Sequence, residues 1–423
     1  MRIPMASFSW PVVALVSVFA VAAPVAAQQP AGQVVKLGEG ETLTISGFIN
    51  ASFFNDRGVF GAFGQGQNSE FAGQAQPGVN QGFTDGDIRN TRINFTFNAG
   101  PVLGKWTPKG VIEADFFGAF NGAPPFGDEQ PQLRGRLLYA DLTNGRSTLR
   151  IGQYWAPLFA EVPVSLTHIA FPLGLGSAGM IGWRFPGIFW YQDLSAAGKP
   201  MTAQLQLAVM KGSGPLVGVT DNLAYTQIGN GEASGLPQLE ARLNIINRGR
   251  NLNWSVYVVG HVDWKDTTGN GAGGSNITGS GVELGGSISR GHLTVHGNFY
   301  TGKGLGQQFG HITPSTAGTP SLAPTVPQQA RIKGLGAWAQ AGYDFTPHWS
   351  LWAFYGLDQP KYGTFNTETG AVLPRQLNHD GDALIRFRAG RYAVGLEFFR
   401  AVTDWSTGKT NADQLALSML YTI

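Results

Sequence analysis

The sequence predicts an all-β protein: a transmembrane, antiparallel, up-and-down β-barrel of about 16 strands with long extracellular loops and short periplasmic turns. Three observations favour this fold. Many segments alternate apolar and polar residues with a period of two, which gives a strand one face for lipid and one for water. The C-terminal segment 411–423 alternates in this way to its last residue, as a closing strand would. The N-terminal segment has the features of an export signal.

Residues 1–27 are typical of a secretory signal peptide. Arg2 precedes an apolar stretch around Val12–Ala23, and Val25-Ala26-Ala27 forms a small-residue cleavage site. A retained membrane helix is disfavoured because this apolar run is shorter than the ~18 residues that a span needs. The predicted organisation is therefore a signal peptide at 1–27, a short periplasmic segment at 28–41 and a barrel at 42–423.

Composition excludes several classes of protein. The chain has 29 Lys and Arg against 27 Asp and Glu, a balance that gives no indication of nucleic-acid binding. Only 13% of residues are charged and Gly is the most frequent residue, yet no later apolar run is long enough for a membrane helix. Because cysteine is absent, disulfides and thiolate metal sites are excluded.

The segment Thr42–Phe54 illustrates the strand pattern, with apolar residues such as Ile49 and Phe53 on one face and polar ones such as Asn50 and Ser52 on the other. Seven short connectors alternate with eight longer segments rich in Gly, Pro and Asn, so that sixteen strands are predicted. A barrel of about this size is wide enough for an aqueous channel. The predicted long loops are 55–87, 118–131, 156–182, 212–236, 265–277, 303–332, 359–381 and 403–412.

Charged residues on the polar faces are the candidate channel-lining and constriction residues. By parity they comprise Arg92, Glu113, Asp115, Arg134, Arg136, Arg150, Arg242, Arg386 and Arg388. In the strand at 133–139 this parity places Leu137 and Tyr139 on the lipid face. Two interpretations carry equal weight. The arginines could attract and guide anionic solutes by paired hydrogen bonds, or they could form salt-bridge networks that brace the wall and leave little selectivity.

The third long loop, Ala156–Gly182, is unusually apolar for an exposed segment. It could fold back into the lumen and narrow the pore, or it could pack at a subunit contact. The first interpretation is favoured.

Catalytic, cofactor and metal motifs are not found in the sequence. Gly408-Lys409-Thr410 lacks the glycine and the strand-to-helix context of a phosphate loop, and His292 and His296, four residues apart on a strand, lie ~13 Å apart and are too distant for one metal. A barrel enzyme of the lipase or protease type would need a Ser, His and acid cluster at one rim. A non-conducting adhesin or scaffold would be favoured if the third and sixth loops plugged the lumen.

Five short strings resemble strands of the DcaP-like outer-membrane porins, in order and spacing: Gly110–Gly118, Leu133–Ala140, Leu149–Trp155, Pro237–Leu243 and Leu351–Pro360. The resemblance implies a sixteen-stranded trimeric porin of the Gram-negative outer membrane for small, mostly anionic organic solutes such as dicarboxylates. It further implies that Arg134, Arg136 and Arg150 lie at the constriction with Glu113 and Asp115. The expected function is passive diffusion of small anionic or neutral solutes with a mild anion preference. Outer-membrane lipids are the other expected partners.

Overall fold

The computed structural model describes residues 32–61, 67–75, 78, 81–102, 104–118, 130–196, 198–214, 216–220, 227–266, 276–314, 316–318, 329–361 and 374–423. The predicted signal peptide at 1–27 and parts of the long loops lie outside these residues. Among the described residues, no helix is long and apolar enough to cross a membrane.

The described residues form twenty-two strands, one short helix and a 3-10 turn at Gly306–Gln308. In chain order the elements are β1 (Gln33–Gly38), β2 (Glu41–Arg57), β3 (Gly82–Asp87), β4 (Arg92–Asn98), β5 (Thr107–Asp115), β6 (Arg134–Asn144), β7 (Ser147–Trp155), β8 (Arg184–Asp193), β9 (Met201–Met210), β10 (Leu216–Thr220), β11 (Gln227–Gly229), α1 (Asn230–Ala233), β12 (Gln238–Arg248), β13 (Asn253–Asp266), β14 (Asn276–Arg290), β15 (Leu293–Lys303), β16 (Thr316–Gly318), β17 (Gln329–Arg331), β18 (Lys333–Asp344), β19 (Trp349–Pro360), β20 (Arg375–Ala389), β21 (Tyr392–Trp405) and β22 (Gly408–Thr422).

A single antiparallel sheet closes on itself to form the barrel. Strands β3 and β4 both pair with β2, at its residues 52–57 and 42–48, so together they form one interrupted barrel strand. The last strand, β22, pairs with the other edge of β2 from Phe48↔Thr422 to Arg57↔Asp413. With this closure the barrel has sixteen strands, as predicted. Closure pairs the backbone groups that an open sheet would leave exposed at its edges.

The N-terminal strand β1 lies in the segment 28–41, which was predicted to be a short periplasmic segment. It pairs with residues 41–45 of β2. This is the same edge of β2 that β22 pairs with, but the pairing with β22 begins only at Phe48. The strand therefore completes the ladder along the first strand of the barrel. Two small hairpins, β10 with β11 and β16 with β17, lie outside the barrel sheet.

The two faces of the wall differ as the alternation predicts. On β2, Ile49 and Phe53 are 47% and 62% exposed, whereas Asn50 and Ser52 are buried. On β12, Leu239 and Leu243 face outward and Glu240 and Arg242 are buried inside. The outer surface thus carries an apolar belt suited to acyl chains, and the inner surface is polar.

One prediction of sidedness is wrong. Leu137 and Tyr139 were placed on the lipid face, but Leu137 is buried and Leu138 is exposed instead. The cause is a β-bulge: Glu113 pairs with Leu137 and Ala114 with Gly135, so β6 has one extra residue at Arg136. A bulge reverses the parity of the residues beyond it. Tyr139 consequently faces the lumen, where its ring contacts that of Tyr154.

The predicted long loop at 403–412 is also wrong. Strands β21 and β22 pair as far as Trp405↔Gly408, which leaves only a tight turn between them. Cross-strand ion pairs extend this hairpin, with Arg400 bound to Asp413 and Lys409 bound to Asp404. These residues are polar on both faces, so apolar periodicity could not identify them as strand. The loops predicted at 55–87 and 359–381 are shorter for the same reason, because β3 and β20 extend into them.

Candidate constriction site

The third long loop lies inside the barrel. Between residues 156 and 182, all residues except Val162 are buried. Wall residues hold the loop from several sides: Glu240 of β12 accepts the Leu158 N–H at 2.9 Å, and Gln340 of β18 accepts the Val164 N–H at 2.7 Å. The prediction that this segment folds into the lumen is confirmed.

The sixth loop packs against the third. The Gly182 N–H donates to the Gln308 carbonyl at 2.8 Å, and the Phe309 ring stacks on that of Trp183 with centroids 4.1 Å apart. The first loop joins this contact through Glu70, whose carboxyl binds the His311 ring. Burial raises the pKa of Glu70, and the neighbouring His311 partly offsets this rise. Segments of three loops therefore meet within the barrel.

Beside the folded loop, the inner wall carries a compact group of charges, which we call the constriction cluster: Arg92, Glu113, Asp115, Arg134, Arg136 and Arg184. Its members come from the adjacent strands β4, β5 and β6 and from β8, which β7 separates from β6. Alternation on β5 directs both carboxylates inward, and the bulge on β6 brings Arg136 against them. The cluster thus unites five of the predicted site residues with one more, Arg184.

Asp115 is the most heavily bonded member of the cluster. Arg134 binds it with two parallel hydrogen bonds, from Nε at 2.9 Å and from a terminal nitrogen at 2.7 Å. Arg136 adds a third at 2.6 Å and also donates to Glu113 at 2.8 Å. Such charge-assisted bonds are short and geometrically specific. Arg134 and Arg136 are consequently neutralised by the two acids.

The other two arginines of the cluster have no such compensation. Arg92 Nε lies 3.7 Å from Glu113, beyond hydrogen-bond distance. Among the described residues, Arg92 Nε and Nη2 and Arg184 Nε and Nη1 are buried without a hydrogen-bond partner. Four guanidinium groups therefore surround two carboxylates, which leaves a surplus of two positive charges and several unused donors.

Aromatic rings border the charged residues. The Arg184 guanidinium lies 4.4 Å from the centroid of the Trp183 ring and 5.0 Å from that of Trp155. Arg134 lies 5.0 Å from the ring of Phe171, a residue of the third loop. These rings hold the arginines by cation–π contacts without neutralising their charge.

Arg150, predicted for the same site, belongs to a separate group. It binds Asp141 through two hydrogen bonds of 2.7 and 2.9 Å and lies 3.9 Å from the ring centroids of both Tyr139 and Tyr154. Lys109 also binds Asp141, at 2.9 Å. We call this group the tyrosine cage.

The remaining predicted residues lie elsewhere on the inner wall. Arg242 donates to the Pro157 carbonyl at 3.1 Å and so anchors the start of the third loop. Arg386 contacts Ser350 at 3.3 Å, and Arg388 binds Asp344 at 3.1 Å, near the short turn that joins β18 to β19. The structure therefore does not bring these three residues to the constriction cluster.

Sequence reasoning missed the acids that hold the third loop from the opposite wall. Ser177 donates to Asp380 at 2.8 Å, and Asp358 accepts a backbone hydrogen bond from Gly179 of the same loop. Asp380 was missed because it falls in the predicted loop at 359–381. Arg184 is absent from the predicted residues because Pro186 makes the alternation around it uncertain. Its charge next to the aromatic Trp183 is the signal that could identify it.

The sequence matches no protein-family model. No curated protein matches it either. Solved structures do match. The outer membrane channel DcaP of Acinetobacter baumannii is 17% identical, with a TM-score of 0.68 over 93% of this chain and 100% of that one. An anion-selective porin from Comamonas acidovorans is 11% identical, with a TM-score of 0.52 over 90% of this chain and 100% of that one. OmpT of Vibrio cholerae in a trimer form is 10% identical, with a TM-score of 0.50 over 91% and 100%.

These likenesses show a fold shared with outer-membrane porins. The resemblance to the DcaP-like porins inferred from short sequence strings is thereby confirmed for the architecture.

Proposed function

We propose that this protein is a non-enzymatic porin of the Gram-negative outer membrane, through which small hydrophilic solutes diffuse passively. Its preference is a mild one for anionic organic solutes such as dicarboxylates. The shared porin fold supports the channel, and the apolar belt around the barrel supports contact with outer-membrane lipids. The preference for anions rests on the constriction cluster.

The surplus positive charge of the cluster is the observation that carries the proposal. Arg92 and Arg184 have no hydrogen-bonded acid among the described residues, so their charges are not neutralised. A guanidinium group in such a place attracts carboxylates by charge and orients them by paired hydrogen bonds. Two uncompensated guanidinium groups suit a solute with two carboxylates better than a cation or a neutral sugar.

A homotrimer is the assembly we propose. One solved porin of the same fold is described as a trimer form, and the exposed apolar side chains of this barrel offer a surface for a second copy as well as for lipid. Light scattering of the protein in detergent would give a mass of three chains. A mass of one chain at micromolar concentration would contradict the trimer.

A second candidate function follows from the folded loops. The third loop is almost fully buried inside the barrel, and the sixth loop packs on it. A lumen filled in this way also suits a non-conducting scaffold, in which the external loops bind a partner.

Reconstitution in planar lipid bilayers separates the two candidates. A porin gives stepwise increases in current as single channels insert, whereas a non-conducting barrel gives none. Liposome swelling then tests the solute class: a small dicarboxylate should enter faster than a diamine of equal size. Equal rates would remove the anion preference, and absence of current would favour the scaffold.

A further inference from the structure

We propose that the third loop is fastened to the barrel wall by a divalent metal ion, with Zn²⁺ as the best fit, bound by His168, Asp382 and Glu397. The three residues are far apart in sequence, which is why no metal motif is visible there. His168 lies on the third loop, whereas Asp382 and Glu397 lie on the adjacent strands β20 and β21. The site is independent of the constriction cluster and of the proposed conduction.

The geometry brings three ligand atoms together in a buried place. One ligand atom from each residue lies within 4.8 Å of the other two, and all three residues are buried. His168 Nδ1 is 3.8 Å from Glu397 Oε1. Ligands ~2.1 Å from a tetrahedral Zn²⁺ lie roughly 3.4 Å from each other, so small side-chain rotations would close the site.

The hydrogen-bond pattern leaves lone pairs directed at this centre. His168 Nε2 lies 3.2 Å from the Ser69 carbonyl, which can only accept, so Nε2 carries the proton. In the neutral ring Nδ1 is then an acceptor, and it has no hydrogen-bond partner among the described residues. The same is true of both carboxylate oxygens of Asp382, although this side chain is more than nine-tenths buried. Buried acceptors without a hydrogen-bond partner are unfavourable unless a proton or a cation binds to them.

Glu397 is oriented by the loop that the metal would fasten. Its Oε1 accepts from the Ser165 hydroxyl at 2.5 Å, and its Oε2 accepts from the N–H groups of Leu166 and Thr167, both at 3.0 Å. Among the described residues, Oε1 accepts only the hydrogen bond from Ser165 and so keeps a second lone pair for a metal. Hydrogen bonds that fix a ligating carboxylate are a regular feature of metal sites. The Phe399 ring, 4.6 Å from the His168 ring between centroids, shields the centre from one side.

Charge and donor type select the kind of ion. Two carboxylates and a neutral imidazole carry two negative charges, which one divalent cation balances. One nitrogen and two oxygen ligands suit Zn²⁺ better than Ca²⁺ or Mg²⁺, which prefer oxygen alone. The cation would convert an unfavourable group of buried acceptors into a bond between loop and wall.

Calorimetric titration of the full-length refolded protein with ZnCl₂, in a buffer that does not bind metals, tests the proposal. We expect saturation at one Zn²⁺ per chain. Each of His168→Gln and Asp382→Asn should weaken binding by at least about 10-fold. His292→Gln is the matched control, because His292 is an exposed histidine outside this site, and it should leave the affinity unchanged.

X-ray absorption of the zinc-loaded wild type gives a second measurement that needs no variant. One imidazole nitrogen with oxygen ligands at about 2.0–2.2 Å is expected. A spectrum with two or more imidazoles, binding that survives His168→Gln, or absence of saturable binding would each overturn the proposal. In the last case, a higher unfolding temperature of Asp382→Asn would assign the site to a proton shared between the two acids. None of these results depends on whether the barrel conducts.

Discussion

The constriction cluster and the tyrosine cage are neighbours on the same inner wall, yet they use arginine differently. In the cage, Arg150 has a carboxylate that binds it twice and two tyrosine rings at 3.9 Å. In the cluster, four arginines share two acids, and Arg184 has aromatic rings but no acceptor among the described residues. The residue type and its inward direction therefore do not determine its role. A guanidinium group braces the wall where a carboxylate is hydrogen-bonded to it, and it remains available to a solute where none is.

Arg150→Met should produce the largest loss of stability. It leaves the buried Asp141 with Lys109 alone and removes the cation that the tyrosine rings surround. Removing one partner of a buried pair costs about 3 kcal/mol in the free energy of unfolding. Urea unfolding in detergent micelles measures this loss, and anion selectivity should not change. If Arg150→Met lowered the free energy of unfolding no more than Arg184→Gln does, the distinction between the tyrosine cage and the constriction cluster would be contradicted.

Gln340→Met extends the comparison to the neutral contacts of the third loop. Gln340 accepts the Val164 N–H and donates to the Val164 carbonyl at 2.8 Å, so the variant leaves both backbone groups unpaired inside the barrel. We expect a loss of about 2 kcal/mol and a higher single-channel conductance, because the loop is held less tightly.

The matched control for this variant is Gln192→Met. The Gln192 amide donates to the Asp193 carbonyl at the end of β8 and not to the third loop. Its conductance should equal that of the wild type. An unchanged conductance in Gln340→Met would show that this loop does not limit the current.

Arg184→Gln should have a small effect on stability and a clear effect on selectivity. Because this arginine forms no ion pair within the described part of the chain, the variant should change the free energy of unfolding by less than about 1 kcal/mol, or increase it. The permeability ratio of chloride to potassium should fall. A preserved ratio would assign Arg184 to packing against Trp155 and Trp183.

Glu70→Gln should have the smallest effect, visible only as a change in pH dependence. Burial raises the pKa of Glu70, so the folded protein holds this proton more tightly than the unfolded chain. The resulting stability is complete below the ordinary value of 4.5 and is lost as the pH rises through the elevated pKa. When the free energy of unfolding is measured from pH 4 upward, it should therefore decline less steeply in Glu70→Gln than in the wild type. If the free energy of unfolding of the variant and that of the wild type changed in parallel with pH, this role of Glu70 would be contradicted.

Much of the fold could be predicted because one face of each barrel strand contacts lipid and the other contacts water, so that apolar and polar residues alternate along the strand. The apolar face of β2 was assigned correctly, with Ile49 and Phe53 on the lipid side. The prediction failed where this alternation gives no information. The bulge at Arg136 depends on the register with β5, and the polar strand ends near Arg400 lie beyond the apolar belt.

The site was predictable in part for the same reason. Parity placed Glu113, Asp115, Arg134 and Arg136 on one face, and the structure brings them into contact. Parity cannot show which of these charges are neutralised. That depends on the register and the side-chain distances between neighbouring strands, which also separate Arg150 from the cluster.

The reversal potential across a bilayer in a salt gradient tests most directly whether the surplus charge of the constriction cluster sets selectivity. We expect the wild type to favour chloride, and the double variant Arg92→Gln with Arg184→Gln to move the potential close to zero. A wild-type reversal potential with the sign of a cation-selective channel would contradict the account. A double variant that keeps the full anion preference would also contradict it.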